Sequence, residues 1–116
     1  MSDIRIIKDK ISLAELEPIA QERFGDMVKA VVDCQRQIMA IGAGLHADAE
    51  AVLLQDGSQQ NDLWGINLYP QKKEEEWLEF NSMINIRPSR NNRSRGVEDP
   101  AIREKIIAVV KSLVIR

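Results

Sequence analysis

The pattern of apolar and polar positions predicts a helix at each end of the chain. Ser12 followed by Glu15 is typical of a capping box, and Gly25 suits the residue after a helix, so residues 13–24 are predicted to be helical. Pro18 either kinks this helix or marks the start of its regular part. Near the C-terminus an N-cap residue, a first-turn proline and a helical apolar stripe predict a second helix: Asp99, Pro100, Ile102, Ile106, Val109, Val110 and Leu113.

Between the two helices the pattern favours strands. Residues 27–43 fit either a helical stripe or a hairpin that turns at 33–36, and clustered valines followed by Gly42 and Gly44 favour the hairpin. Residues 45–54 are predicted to form a strand, and alternation predicts another strand around Trp64, Ile66 and Leu68. The last predicted strand covers residues 77–87, while residues 4–7 form a short strand or an ordered lead-in.

Short strands joined by hairpin turns predict an α+β fold. We expect two layers, with an antiparallel sheet of four to five strands and the N-terminal and C-terminal helices on one of its faces. The opposite face is then open and polar. The 116 residues fit a single globular domain that covers positions 1–116.

Composition limits the possible function classes. The chain is 44% hydrophobic and 29% charged, with a formal net charge of −2, so any contact with nucleic acid must rely on a local basic patch. Apolar runs are too short for a membrane span, and the N-terminus lacks the apolar segment of a signal peptide. Cys34 is the single cysteine, which fits a reducing, cytoplasmic setting. Walker and dinucleotide-binding motifs are absent, so no cofactor is expected.

The arginine content is concentrated near residues 83–99, in the segment MINIRPSRNNRSRGVED. Four arginines lie there with no acidic residue between them: Arg87, Arg90, Arg93 and Arg95. Such a cluster repels itself unless it meets an anion or a carboxylate-rich partner. A structural alternative is an internal ion-pair network with Glu98, Asp99, Asp48 or Glu50. Glu98 and Asp99 also stand at the start of the predicted helix, where they oppose an incoming anion.

Other candidate site residues lie on the predicted strands. His46, Asp48 and Glu50 would share one face of a strand, where His46 could act as a general acid or, with a third ligand from a neighbouring strand, the group could hold a metal. If the segment is helical, His46 and Glu50 become a surface pair and the metal hypothesis fails. Asparagine is a poor strand former, so Asn67 and Asn85 need a reason to lie on the sheet: they either orient a ligand on the polar face or belong to a hydrated sheet surface.

Five segments resemble a family of small, uncharacterised bacterial and archaeal proteins known only as a domain of unknown function. They are GDMVKAVVD (25–33), LHADAE (45–50), LWGINLYP (63–70), MINIRP (83–88) and NRSRGVEDP (92–100). The resemblance covers nearly the whole chain. It implies one compact domain and a prokaryotic, cytosolic setting, and it implies no activity and no catalytic residue.

Two functions follow as hypotheses. In the first, the arginine loop and the polar sheet face bind a phosphate-bearing ligand, a nucleotide or RNA, and a ribonuclease-type reaction would use His46. In the alternative, the chain is a non-catalytic, homo-oligomeric interaction module, in which the arginines of one copy meet acids such as Glu74 and Glu76 of another. A metal-dependent enzyme at His46 is a third hypothesis, and no metal is assigned.

Overall fold

A five-stranded antiparallel sheet is the centre of the computed structural model, which describes residues 4–116. Across the sheet the strands are β1 (Arg5–Ile7), β4 (Ile38–Ile41), β3 (Val28–Asp33), β5 (Leu63–Leu68) and β6 (Leu78–Glu79). Every neighbouring pair is antiparallel. The predicted α+β class, with four to five antiparallel strands and terminal helices, is confirmed.

The hairpin formed by β3 and β4 settles the ambiguity of residues 27–43 in favour of strands. Asp33 shapes its turn, because one carboxylate oxygen accepts the N–H groups of Gln35 and Arg36, both at 2.9 Å. Gln37 completes the turn with a φ of 58°. The valines of β3 then pack on both faces of the sheet, Val32 on one and Val31 on the other.

Helix α1 (Leu13–Arg23) begins and ends as its sequence predicts, within one residue. The Ser12 hydroxyl oxygen accepts the Glu15 N–H at 3.1 Å. At the other end Gly25 adopts a φ of 89°, and its N–H donates to the Ala20 carbonyl at 2.8 Å. Pro18 lies inside the helix, which starts five residues before it.

Helix α3 (Pro100–Leu113) lies with α1 on the first face of the sheet. Asp99 caps it by accepting the Ala101 N–H at 2.9 Å. A parallel pair of short strands, β2 (Ile11–Ser12) and β7 (Val114–Ile115), joins the two helical segments. The main core therefore combines both helices with one face of the sheet, and its buried members include Leu16, Ala20, Val32, Ile66, Ile106, Val109 and Val110.

The predicted strand at residues 45–54 is wrong, because this segment forms helix α2 (His46–Gln55). Alanine favours helix, and the pair Ala49 and Leu53, spaced as i and i+4, packs on Ala40 and Leu63 of the second sheet face. The expectation of an open, polar face is wrong for the same reason. Strand β5 is present as predicted, but its partners are β3 and β6.

The predicted strand at residues 77–87 is also mostly wrong. Only Leu78–Glu79 pairs with the sheet, and a 3-10 turn follows at Met83–Asn85. The Ser82 hydroxyl oxygen caps this turn by accepting the Ile84 N–H at 3.2 Å. A local side-chain bond thus competes successfully with strand pairing, although the alternation of the segment is strand-like.

Candidate functional site

The arginine loop, residues 87–98, is closed at its start by two backbone hydrogen bonds. The Arg87 N–H donates to the Asn92 carbonyl at 2.6 Å, and the Asn92 N–H donates back to the Arg87 carbonyl at 3.1 Å. A 3-10 turn, Pro88–Arg90, lies between them and ends at Asn91, which has a φ of 59°. Proline presets the first φ of the turn and asparagine tolerates the left-handed region, so the local sequence reverses the chain here.

Asn92 holds the loop together from inside. Its side-chain Nδ2 donates to the carbonyls of Asn85 at 2.7 Å and Gly96 at 2.8 Å, and its Oδ1 accepts the Glu98 N–H at 2.8 Å. The residue is only 3% exposed. Because a buried amide with all of these bonds is costly to move, Asn92 fixes the path of the loop from residue 85 to residue 98.

Glu98 fixes the exposed side of the loop. One of its carboxylate oxygens, Oε2, accepts the N–H groups of Ser94 and Arg93, both at 2.9 Å. These bonds hold the pKa of Glu98 below its ordinary value, so the carboxylate is ionised at neutral pH. The loop backbone is thus held by the side chains of Asn92 and Glu98.

Arg87 points into the protein. Its Nη2 donates to Glu50 of α2 at 3.2 Å, and the two side chains are only 11% and 13% exposed. The guanidinium carbon lies 5.0 Å from the centroid of the Trp64 ring. Burial lowers the pKa of Arg87, and the nearby charge of Glu50 opposes this effect. The second terminal nitrogen, Nη1, is buried without a hydrogen-bond partner among residues 4–116.

The other three arginines of the loop are exposed. Arg90 lies with its guanidinium carbon 5.7 Å from the Trp64 centroid, and it donates to the Asn61 carbonyl. In the part of the chain that the structure describes, the guanidinium groups of Arg93 and Arg95 have no carboxylate within 4.0 Å. The predicted internal ion-pair network therefore accounts for Arg87 alone.

The three candidates on the predicted strand, His46, Asp48 and Glu50, do not converge. They lie on α2, where His46 is buried, Asp48 is exposed and Glu50 is paired with Arg87. The shared strand face expected for them is wrong, because a helix directs positions i and i+2 to different sides. Residues 4–116 contain no group of three or more His, Cys, Asp or Glu side chains arranged to hold a metal ion.

His46 occupies a buried position at the first turn of α2. Its Nε2 lies 2.8 Å from the Ile66 carbonyl oxygen, and the residue is 6% exposed. Burial is the largest cause that lowers the pKa of His46, and the charges of Lys29 and Arg95 lower it further. Hydrogen bonding to Ile66 opposes these effects without reversing them. The imidazole is therefore kept neutral at pH 7.

Asn85 completes the edge of the sheet beyond β6. Its Oδ1 accepts the Gly65 N–H at 2.8 Å and its Nδ2 donates to the Gly65 carbonyl at 2.9 Å, so the side chain imitates a neighbouring strand. Gly65 allows this approach, because a Cβ there would lie 2.5 Å from the Cβ of Ser82 and 3.2 Å from the His46 ring. Asn85 is wholly buried and also donates to the Arg95 carbonyl at 2.9 Å.

Asn67 lies on β5 in the same polar cluster. Its Nδ2 donates to Glu79 at 2.9 Å and to the Asn81 carbonyl at 3.3 Å. Its Oδ1 is buried without a hydrogen-bond partner among the described residues. The structure thus places Asn67 and Asn85 near His46, beneath α2 and the loop instead of on an open face.

A cavity of about 410 Å³, which the sequence does not predict, lies between the arginine loop and the first turn of α3. Its lining combines an aromatic ring, an apolar side chain, a guanidinium, two amides and two carboxylates: Trp64, Ile102, Arg90, Asn91, Asn92, Glu98 and Asp99. The sequence alone shows that the loop arginines are followed closely by Glu98 and Asp99. It does not show the contribution of Trp64, because only the tertiary fold brings β5 beneath the loop.

The fold and the loop thus define a small α+β protein with an exposed basic loop. The chain belongs to the family described as a protein of unknown function (DUF5674), whose model matches residues 5–113. Comparison with curated proteins and with solved structures finds no match. Within residues 4–116, no helix has both the length and the apolar character that crossing a bilayer requires.

Proposed function

We propose that this protein binds a phosphate-bearing ligand, a nucleotide or single-stranded RNA, through the exposed arginines of its loop. The observation that carries the proposal is the state of Arg93 and Arg95. Both are exposed, and neither guanidinium group has a carboxylate within 4.0 Å among residues 4–116. Planar guanidinium groups suit phosphate oxygens, and Arg90 on the preceding turn adds a third donor group.

The rigidity of the loop supports this assignment. Asn92 and Glu98 hold the backbone with hydrogen bonds of 2.7 to 2.9 Å, so the loop does not need to be ordered when a ligand arrives. A preformed site keeps more of its interaction energy as affinity. In a chain of net charge −2, this loop is also the one segment that concentrates positive charge.

The proposal is binding without cleavage. A ribonuclease-type acid must reach its substrate and exchange a proton near the working pH. His46 is 6% exposed, it is engaged with the Ile66 carbonyl, and its pKa is lowered. The buried imidazole thus suits a role in positioning α2 over β5, while Asp48 is exposed and Glu50 is paired with Arg87.

Fluorescence anisotropy of a labelled, single-stranded octanucleotide RNA tests the proposal. If three arginines contact phosphates, affinity for RNA falls about 20-fold between 50 and 200 mM salt. The double variant Arg93→Ala, Arg95→Ala should lose most of the affinity. Its matched control is Lys73→Ala, Lys111→Ala, which removes the same charge elsewhere on the surface and should bind nearly as the parent protein does. Equal losses in both variants, or no binding by the parent protein, would contradict the proposal.

A homo-oligomeric interaction module remains the second candidate function. The observation that favours it is a run of exposed acids, Glu74, Glu75 and Glu76, none of which forms an ion pair among the described residues. These acids complement the arginine loop of a second copy. Light scattering should then give twice the monomer mass at low salt and a falling mass as salt increases. A monomer at every salt concentration would exclude such a dimer.

A further inference from the structure

We infer that the cavity beside the arginine loop recognises a guanine base. The inference rests on the proposed function, because the base would belong to the phosphate-bearing ligand held by the arginines. The cavity lies next to the loop, and Arg90, Asn91 and Asn92 contribute to both. It is therefore within reach of a base whose phosphate lies on Arg93 or Arg95.

The acidic wall of the cavity selects hydrogen-bond donors. Glu98 uses Oε2 for two backbone N–H groups, and Asp99 uses Oδ1 for the N–H of Ala101. The second oxygen of Asp99, Oδ2, accepts no hydrogen bond among residues 4–116, so it is available to a ligand, while Glu98 also interacts with the Ser94 hydroxyl. Ionised carboxylates only accept hydrogen bonds, and they repel phosphate. This wall therefore suits a neutral group rich in donors, and phosphate is directed toward the arginines.

Guanine is the base whose pairing edge fits such a wall. Its N1–H and its N2 amino group stand side by side as donors, so they can bind one carboxylate through two hydrogen bonds. The pairing edges of adenine, cytosine and uracil each place an acceptor beside a donor, and that acceptor would face a carboxylate oxygen. An acceptor facing an acceptor leaves both groups without a partner, which weakens binding.

Arg90 supplies the complement for the other edge of guanine. The O6 and N7 atoms of guanine are both acceptors, and an arginine fork that binds them is the commonest specific contact to this base. Arg90 is held near the cavity by the Asn61 carbonyl and by the Trp64 ring, 5.7 Å from its guanidinium carbon. The cavity thus places a cation and carboxylates around one space, and guanine is the standard base that offers acceptors on one edge and adjacent donors on another.

Five-nucleotide RNAs that differ only at the central base test this inference. The parent protein should bind the guanine RNA at least about tenfold more tightly than the adenine RNA. An inosine RNA, which keeps N1–H, O6 and N7 but lacks the N2 amino group, should bind with intermediate affinity. The other flanking bases are uracil in every probe, so the phosphates are identical.

Two conservative variants locate the preference. Glu98→Gln and Asp99→Asn keep an oxygen for the backbone N–H groups and replace the other oxygen by an amide donor, so the guanine preference should disappear while thermal melting stays close to that of the parent. Glu104→Gln, an exposed acid of α3 outside the cavity, is the control and should keep the preference. If Glu98→Gln does not fold, the Asp99→Asn variant and the RNA series on the parent protein still decide whether the cavity recognises guanine.

The outcomes separate the inference from the proposed function. Tight, salt-sensitive binding of all the RNAs with equal affinity would overturn guanine recognition and leave phosphate binding intact. A guanine preference that survives in both cavity variants would also overturn the inference. Absence of binding to every RNA would remove the proposed function, and the inference with it.

Discussion

The two ends of the arginine loop use the same side chain in opposite ways. Arg87 is buried against Glu50 and the Trp64 ring, at 3.2 Å and 5.0 Å, and joins the loop to α2. Arg93 and Arg95 are exposed, and their guanidinium groups have no carboxylate within 4.0 Å among residues 4–116. The difference arises from the carboxylates within reach, because Glu50 of α2 meets the Arg87 guanidinium and no carboxylate of the described residues forms an ion pair with the guanidinium groups of Arg93 or Arg95.

This contrast shows that a cluster of like charges need not have one purpose. Arg87 and Glu50 form a structural ion pair. Both charges are largely removed from water, so each depends on the other for its stabilisation. Arg93 and Arg95 stay in water, where they contribute little to stability and are available to a ligand. Between the two ends, Asn92 and Glu98 make the loop rigid without using any guanidinium.

Removing the buried arginine should have the largest effect on stability. Arg87→Ala leaves Glu50 buried without its partner, so we expect the free energy of unfolding to fall by about 3–5 kcal/mol. Urea denaturation measures this change. The double variant Arg87→Met, Glu50→Leu should recover much of the loss, since it removes both charges together. A denaturation midpoint unchanged in Arg87→Ala would show that the pair is not structural.

Removing the amide that imitates a strand should have the next largest effect. Asn85→Ala leaves the N–H and carbonyl of Gly65 without their partners, and we expect a loss of about 2–3 kcal/mol. Asn81→Ala is the control, because only the backbone carbonyl of Asn81 accepts a hydrogen bond from Asn67. If the two variants were equally stable, the edge of the sheet would not depend on Asn85.

Stability should also depend on pH through His46, the single histidine. Its pKa is lowered in the folded protein, so the unfolded chain binds the proton more readily. The stability from neutral His46 is fully present above its unfolded pKa of about 6.5 and is lost as the pH falls toward the folded pKa. Melting curves between pH 7.5 and 5 should show this slope, and His46→Gln should flatten it. A stability that rises as the pH falls would contradict the lowered pKa.

The smallest effect on stability is expected at the exposed end of the loop. Arg93→Ala with Arg95→Ala should change the free energy of unfolding by no more than about 0.5 kcal/mol, because neither guanidinium has an ion-pair partner among the described residues. Urea denaturation of this double variant and of Arg87→Ala under the same conditions compares their free energies of unfolding directly. A loss as large as that of Arg87→Ala would mean that all of these arginines are structural.

Strong local rules made much of the fold predictable. The caps at Ser12 and Asp99 place α1 and α3, and the turn at Asp33 separates two strands. Each of these features depends on residues that are neighbours in the sequence. The fold class follows from them, because alternating segments between two capped helices leave an antiparallel sheet as the natural arrangement.

The failures occur where tertiary contacts decide. Residues 45–54 alternate like a strand, but Ala49 and Leu53 fit the second sheet face as a helix. Residues 80–87 also alternate, yet Ser82 and Asn85 make side-chain bonds that replace strand pairing. The site was predictable as a set of arginines, and their division into buried and exposed members was not, since it depends on Glu50, which the tertiary fold brings to Arg87.

An amide-correlation NMR titration with single-stranded RNA is the most direct test of the central claim, that the exposed end of this loop is a binding surface. We expect salt-sensitive shifts at Arg90, Arg93 and Arg95 and in the cavity beside them, with small changes at Glu50 in the interior. Shifts confined to other surfaces, or a flat response across all amides at low salt, would contradict it.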